Sequence, residues 1–203
     1  MRLRKRKWVD PFLLNEKDVL IKDFKGNIAA QPVYLEIGMG MGDWIVNSCL
    51  ANPDILYLGL EKDPTCTAKA ILKAKNLGIT NLKILRADAS LILELMDAAT
   101  IDRIYLHFSD PWPKKGHHKR RLTYPDRLAT YWQLLKNGGE LIFKSDNVDF
   151  FNDSIEYFEQ SPFEIVAIDR DYHKIERSEP LTGYEARFKS QGIPINFLLA
   201  KKK

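Results

Sequence analysis

The chain predicts an α/β protein built on a seven-stranded, mostly parallel, doubly wound sheet, and three observations carry that prediction. Short apolar runs alternate with amphipathic segments from about residue 33 onward, the pattern of a parallel sheet covered by helices on both faces. Helix start and stop signals fall between those runs. At 203 residues, 45% hydrophobic and 29% charged, the chain can bury one real core, so one domain is expected. Within it residues 1–32, which lack a strong period, read as a basic arm with one short helix, and residues 33–203 as the core.

The expected strands are Val33 to Ile37, Ile55 to Leu60, Leu82 to Arg86, Ile104 to Phe108, Glu140 to Lys144, Glu164 to Ile168 and Ile195 to Ala200. Asp63-Pro64 offers an N-cap and a proline at the first helical position, and Gly78 ends that helix after Leu77. Tyr124-Pro125 and Gly138-Gly139 bracket a second helix, whose Leu128, Tyr131, Trp132 and Leu135 recur on one face and are expected in the core. The connection from Asp169 to Pro194 is long for such a fold, and long ordered loops tend to be functional. It contains Thr182-Gly183-Tyr184-Glu185.

Composition narrows the setting. Cys49 and Cys66 are the only cysteines, with no Cys-x-x-Cys pair and no histidine at zinc-finger spacing. That argues against a disulfide frame or a structural zinc and for a reducing cytoplasm. Arg2 to Lys7 is like the n-region of a signal peptide, yet Asp10, Asn15, Glu16 and Lys17 interrupt any apolar stretch behind it. Neither secretion nor membrane spanning is expected. The net charge is only +4, but cations cluster at Arg2 to Lys7, Lys114 to Arg121 and Lys201 to Lys203. Such patches suit a polyanion.

The most informative segment is Ser109-Asp110-Pro111-Trp112-Pro113-Lys114, followed at once by Lys115-Gly116-His117-His118-Lys119-Arg120-Arg121. A carboxylate, a proline-stiffened aromatic turn and a cationic loop leave one strand together. Upstream, the first strand ends in Glu36 and runs into Ile37-Gly38-Met39-Gly40-Met41-Gly42-Asp43, a glycine turn that opens a helix and lets backbone approach a ligand. A nicotinamide or flavin fingerprint needs a small residue where Asp43 stands, so a dinucleotide is disfavoured. The second strand ends in Glu61, 23 residues after Gly38, where an acid can accept both ribose hydroxyls of a nucleoside. Asp88 follows the third strand and Asp110 the fourth. Any one of these acids is as readily a helix cap, and Asp88 before Ala89-Ser90 reads as one. Four in succession predict an acid-lined carboxyl edge, which suits a cofactor with a cation and a ribose diol and no phosphate. S-adenosylmethionine has that chemistry.

Together, Glu36-Ile37-Gly38-Met39-Gly40, Glu61-Lys62-Asp63, Ser109 to Lys114, Ser145-Asp146-Asn147 and Thr182 to Glu185 resemble the motifs of the bacterial tRNA (guanine-N7)-methyltransferases of the TrmB type. The resemblance spans nearly the whole chain and implies a Rossmann-like class I methyltransferase fold with an antiparallel last strand. It implies that Glu36, Gly38, Gly40, Glu61, Asp88 and Asp110 bind S-adenosylmethionine, with Asp110 catalytic. It likewise implies that Lys114, Asp146, Thr182, Gly183, Tyr184 and Glu185 bind the substrate, that Gly116, His117, His118, Lys119, Arg120 and Arg121 touch RNA, and that guanine 46 of the variable region is the target. Ser145 stands where many relatives carry threonine; both supply a hydroxyl. A cytoplasmic monomer or homodimer acting on tRNA, without a metal, is the expected setting.

The chemistry is consistent with those residue types. Guanine N7 carries a lone pair and no hydrogen, so no base is needed; a carboxylate near the purine stabilises the positive charge that grows on it. One acid among Asp110, Asp146 and Glu185 is expected to accept the N1–H and N2–H2 donor pair of guanine. Lys114 is expected on a phosphate, and Trp112 either stacks on a base or packs under the loop. His117 and His118 are expected on phosphate or solvent, and His107 and His173 are left as structural or surface residues. Three other readings compete: an amino-group methyltransferase acting on adenine N6 or guanine N2, because Asp-Pro-Trp is similar to an Asp-Pro-Pro-Tyr loop; a non-enzymatic RNA-binding module; and a small-molecule methyltransferase, disfavoured by the basic loop beside the catalytic end.

Overall fold

The structure, a computed structural model, describes residues 7–27, 29–172 and 180–203. Of the basic cluster Arg2 to Lys7, Arg2 to Arg6 lie outside the described residues, as does His173. The chain forms two compact units, Met1–Asp97 and Ala98–Lys203.

The N-terminal unit runs α1 (Val9–Asn15), β1 (Leu20–Ile21), β2 (Val33–Ile37), α2 (Asp43–Ala51), β3 (Leu56–Leu60), α3 (Pro64–Asn76), β4 (Leu82–Leu85) and α4 (Ile92–Leu95). Its strands are all parallel, in the order β1-β4-β3-β2. β2 and β3 are nearly continuous apolar runs because both faces are covered. Helix α3 starts as its sequence dictates: Pro64 needs no partner for a missing N–H, and the Asp63 carboxylate accepts from Thr65 N at 2.8 Å and Cys66 N at 2.9 Å. Its Ala68, Ala70, Ile71 and Ala74 form the buried face. Strand β1 makes eight strands among the described residues rather than the seven expected. Two residues are too short to show a period, and β1 exists because Leu20 and Ile21 lie in register against Ile84 and Leu85.

The C-terminal unit runs β5 (Ile101–His107), α5 (Pro125–Leu134), β6 (Leu135–Ser145), α6 (Val148–Glu159), β7 (Phe163–Asp169), α7 (Gly183–Gln191) and β8 (Asn196–Lys202). The strand order is β5-β6-β8-β7; β5 and β6 are parallel, and β8 runs antiparallel to both of its neighbours. Helix α6 closes the core with Phe150 and Phe151, whose rings lie 5.2 and 5.6 Å from that of Phe143 on β6. Gly138-Gly139 does not end α5 as expected. The helix stops at Leu134 because Leu135 already pairs with Ile101, and the glycines absorb a register shift inside β6. A Cβ on Gly139 would lie 2.9 Å from Lys136 O, so only glycine fits that bend. Leu128 and Tyr131 are in the core, while Trp132 is half-buried with Lys202 Nζ 4.1 Å from its ring centroid. The long connection after β7 holds a helix, α7, where a loop was expected.

Candidate active site

In the N-terminal unit the glycine turn after β2 takes the conformation its sequence allows. Gly38, Gly40 and Gly42 have φ of 77°, 57° and 75°. Gly42 is also fixed by packing, since a Cβ there would lie 2.7 Å from the Cβ of Ala70 on α3. Around Gly40 nothing lies within 4 Å of an added Cβ, so this part of the turn faces open space. Glu61, at the end of β3, accepts from Gly40 N at 3.0 Å through Oε2 and from Asp63 N at 2.8 Å through Oε1. Two backbone donors therefore orient its carboxylate, and each oxygen keeps a lone pair for a further donor. Glu36 is buried at the end of β2. Asp43 ion-pairs with Lys73 of α3, which accounts for an acid where a dinucleotide fold needs a small residue. Asp88 caps a short 3₁₀ turn, accepting from Ser90 N at 2.9 Å and Ser90 Oγ at 2.8 Å, with Lys62 Nζ 3.9 Å from its other oxygen.

In the C-terminal unit β5 and β6 are parallel with His107 opposite Lys144, so Asp110 and Asp146 leave the same edge on neighbouring strands. Both are exposed, and no described residue hydrogen-bonds or ion-pairs with either carboxylate. Asp146 is not the cap of the Ser-Asp-Asn turn: Asn147 is, accepting from Phe150 N at 2.8 Å, while Ser145 Oγ accepts from Asn147 N. The turn holding Asp110 contains two non-glycine residues in the left-handed region, Phe108 at φ 48° and Trp112 at φ 41°. Such conformations persist where surroundings over-determine them and cluster at functional sites. Trp112 is half-buried, with the Arg120 guanidinium 4.9 Å from its ring centroid and the His117 ring 5.9 Å away edge-on. Lys114, Gly116 and Lys119 are exposed, and His118 is half-buried. Arg121 departs from the expected RNA-facing row: it is 3% exposed, with its guanidinium engaged inside the protein.

Thr182 to Glu185 opens α7 as a capping box. Thr182 Oγ1 accepts from Glu185 N at 2.9 Å, and Glu185 Oε2 accepts from Thr182 N at 2.7 Å. The other carboxylate oxygen of Glu185 pairs with Lys144 Nζ at 2.9 Å, in a bridge whose side chains are 0% and 1% exposed. Both oxygens are thus engaged, and Glu185 is fully buried. Gly183 and Tyr184 are exposed, and the Tyr184 ring stacks on Phe108 at 5.7 Å, which brings α7 against the residue two before Asp110. Sequence reasoning passed over Lys144, which reads as one more strand residue. The spacing Thr-x-x-Glu was the available signal for a helix start there. Burial pushes the His107 imidazole well below its ordinary value, and the nearby Lys144 ammonium adds to that. Among the described residues no group of three His, Cys, Asp or Glu is arranged to hold a metal ion, and no helix is long and apolar enough to cross a membrane.

A family model described as "Putative methyltransferase" matches residues 30–198. The tRNA (guanine-N(7)-)-methyltransferase of Macrococcus caseolyticus strain JCSC5402 is 38% identical over 209 residues, covering 99% of this chain and 100% of that protein. The chain belongs to the tRNA (guanine-N(7)-)-methyltransferase family. Its member from Limosilactobacillus reuteri strain DSM 20016 is 37% identical over 213 residues and matches end to end on both sides. Among solved structures, the 16S rRNA methyltransferase KamB superposes with a TM-score of 0.63 over 85% of this chain and 88% of that one. At 15% identity that likeness speaks to the fold alone, an α/β class I methyltransferase fold with a mostly parallel sheet and antiparallel last strands. In this family member the acids therefore fall into two sets: Glu36, Glu61 and Asp88 at the strand ends of the N-terminal unit, and Asp110 and Asp146 at those of the C-terminal unit.

Proposed function

We propose that this chain transfers the methyl group of S-adenosylmethionine to N7 of a guanine in tRNA, guanine 46 of the variable region, in the cytoplasm, and that residues 1–203 act as a single methyltransferase domain. Full-length similarity to tRNA (guanine-N(7)-)-methyltransferases supports the activity. The observation that carries it chemically is the pair of unengaged acids, Asp110 and Asp146, at neighbouring strand ends beside a cationic loop.

The N-terminal unit fits the cofactor. Open space at Gly40 leaves room for a ligand against the backbone, and the Glu61 carboxylate is held ready for a diol by Gly40 N and Asp63 N. Glu36, Gly38, Gly40, Glu61, Asp88 and Asp110 are the residues proposed to bind it, with Asp110 the proposed catalytic acid. When bound, S-adenosylmethionine supplies an electrophilic methyl on a sulfonium. Because guanine N7 has no proton to lose, Asp110 acts as an electrostatic group that stabilises the cationic purine as it forms. Asp146 accepts from N1–H and N2–H2 and fixes which edge of the base is presented, a proximity effect. With its oxygens engaged by Lys144 and Thr182, Glu185 sets the position of α7, which presents Gly183 and Tyr184. Lys114 takes a phosphate near the target, and His117, Lys119 and Arg120 extend that contact around Trp112.

The test is product identity. Unmodified tRNA transcript is methylated with the purified chain, digested with nuclease and separated by mass spectrometry. N7-methylguanosine is expected, and it disappears when guanine 46 is replaced. N6-methyladenosine, N2-methylguanosine or no methylation overturns the reading.

A further inference from the structure

Arg121 closes the basic run, yet it is 3% exposed while Lys119 and Arg120 beside it face solvent. Its guanidinium is spent on the protein. Nε donates to Pro111 O at 2.7 Å, Nη1 donates to Asp153 Oδ2 at 2.6 Å and toward Tyr157 Oη at 3.4 Å, and Nη2 faces His118 Nε2 at 3.0 Å. The group also lies 5.1 Å from the ring centroid of Phe150. A guanidinium only donates, so His118 Nε2 must accept, which leaves the proton of that ring on Nδ1, 3.5 Å from Tyr157 Oη.

The bond to Pro111 O has a specific consequence. That carbonyl belongs to the peptide plane between Pro111 and Trp112, whose orientation sets φ of Trp112, the left-handed residue of the turn at 41°. Asp153, Tyr157 and Phe150 all lie on α6, a helix packed on the core through Phe150, Phe151 and Phe158. The same helix starts at the Asn147 cap, one residue after Asp146. Asp110 is tied to α6 through Pro111 and Arg121, and Asp146 is tied to it directly. We propose that Arg121 is a positioning residue that locks the Asp110–Lys114 turn onto α6, so that the two free acids keep a fixed spacing. It is not an RNA contact.

The inference rests on Asp110 being the catalytic acid, and an Asp110→Ala control separates the two: retained turnover there overturns the role proposed for Asp110 rather than that of Arg121. With that control inactive, Arg121→Met in the full chain is expected to lower kcat by about 10²-fold through misplacement of the acids, with the salt slope of tRNA binding unchanged and any rise in KM through the Lys114 end of the same turn small beside the loss in kcat. Arg121→Lys keeps the charge but cannot serve Pro111, Asp153 and His118 at once, so it loses kcat to a similar degree. Asp153→Asn, at a site with a 39% exposed side chain, gives the same kind of loss in smaller degree and carries the test should Arg121→Met not fold. Melting curves and calorimetric binding of S-adenosylhomocysteine verify that each variant is folded. If Arg121 held a phosphate instead, Arg121→Met would raise KM, shrink the salt slope by about one and spare kcat. Arg121→Lys would then be near normal, and Asp153→Asn would tighten tRNA binding. Any of those three results overturns the positioning role.

Discussion

Glu185→Gln breaks a buried ion pair while leaving the shape of the site intact. The glutamine carbonyl still accepts from Thr182 N, and Thr182 Oγ1 still accepts from the backbone N–H of residue 185, so the cap of α7 survives. What is lost is the charge facing Lys144 Nζ at 2.9 Å, in a place where both side chains are at most 1% exposed. Removing one partner of such a pair costs about 3–5 kcal/mol, because the remaining ion stays buried without compensation. The Tyr172 ring, 4.4 Å from the ammonium, keeps the stranded charge partly compensated, which puts the loss at the low end of that range. The expected net loss is about 3 kcal/mol, read as a fall of about 6–12 °C in Tm for a chain of this size or as a shift of the urea midpoint at constant slope. Adding Lys144→Met removes the stranded ion and is expected to recover more than half of the loss. A loss below about 1 kcal/mol, or a double variant as unstable as the sum of the singles, refutes the reasoning.

Three further outcomes follow from the same geometry. Gly42→Ala places a Cβ 2.7 Å from Ala70 Cβ at a φ of 75°, and is expected to destabilise by about 2 kcal/mol or more in urea unfolding; a loss within error of zero contradicts the packing of α2 on α3. His107 is held well below its ordinary 6.5 by burial and then by Lys144. The unfolded chain therefore binds a proton near pH 6.5 that the native state refuses, so stability present above 6.5 is lost as pH falls, by at most about 1.4 kcal/mol per pH unit. The measurement is urea unfolding between pH 7 and pH 5, and His107→Gln should flatten that part of the profile. Burial pushes the Cys49 thiol up to about 12 and the Cys66 thiol up to about 11, nearby carboxylates adding to both. Neither should react with a thiol reagent at pH 8 until the protein is unfolded; rapid labelling of the native protein contradicts it.

Much of the fold was legible because its signals are local. β2 is a nearly continuous apolar run and matched to the residue, and Asp63-Pro64 announced α3 through a cap that needs only a few consecutive residues. Where partners are distant the reading fell short. β5 begins at Ile101 rather than Ile104 because Arg103 pairs across the ladder with Glu140 at 2.6 Å, which hides a strand among charges. Gly138-Gly139 reads as a helix stop in sequence, whereas the ladder to β5 requires a bend there. In the candidate site, the acids at strand ends could be named from sequence because a strand end followed by a turn is itself a local pattern. Arg121 could not be told from its neighbours, since its burial depends on Asp153 and Tyr157, more than thirty residues away. The ion pair that buries Glu185 is equally invisible in sequence, because its partner, Lys144, is 41 residues distant.

Asp110 is exposed and unengaged, so its carboxylate can be neutralised with little effect on folding. Single-turnover methyl transfer from tritiated S-adenosylmethionine to unmodified tRNA, comparing the native chain with Asp110→Asn, isolates what that charge contributes. An electrostatic group that stabilises a cationic purine predicts a rate lower by about 10²- to 10³-fold, with tRNA still bound. A near-normal rate would contradict it and remove Asp110 from the chemistry.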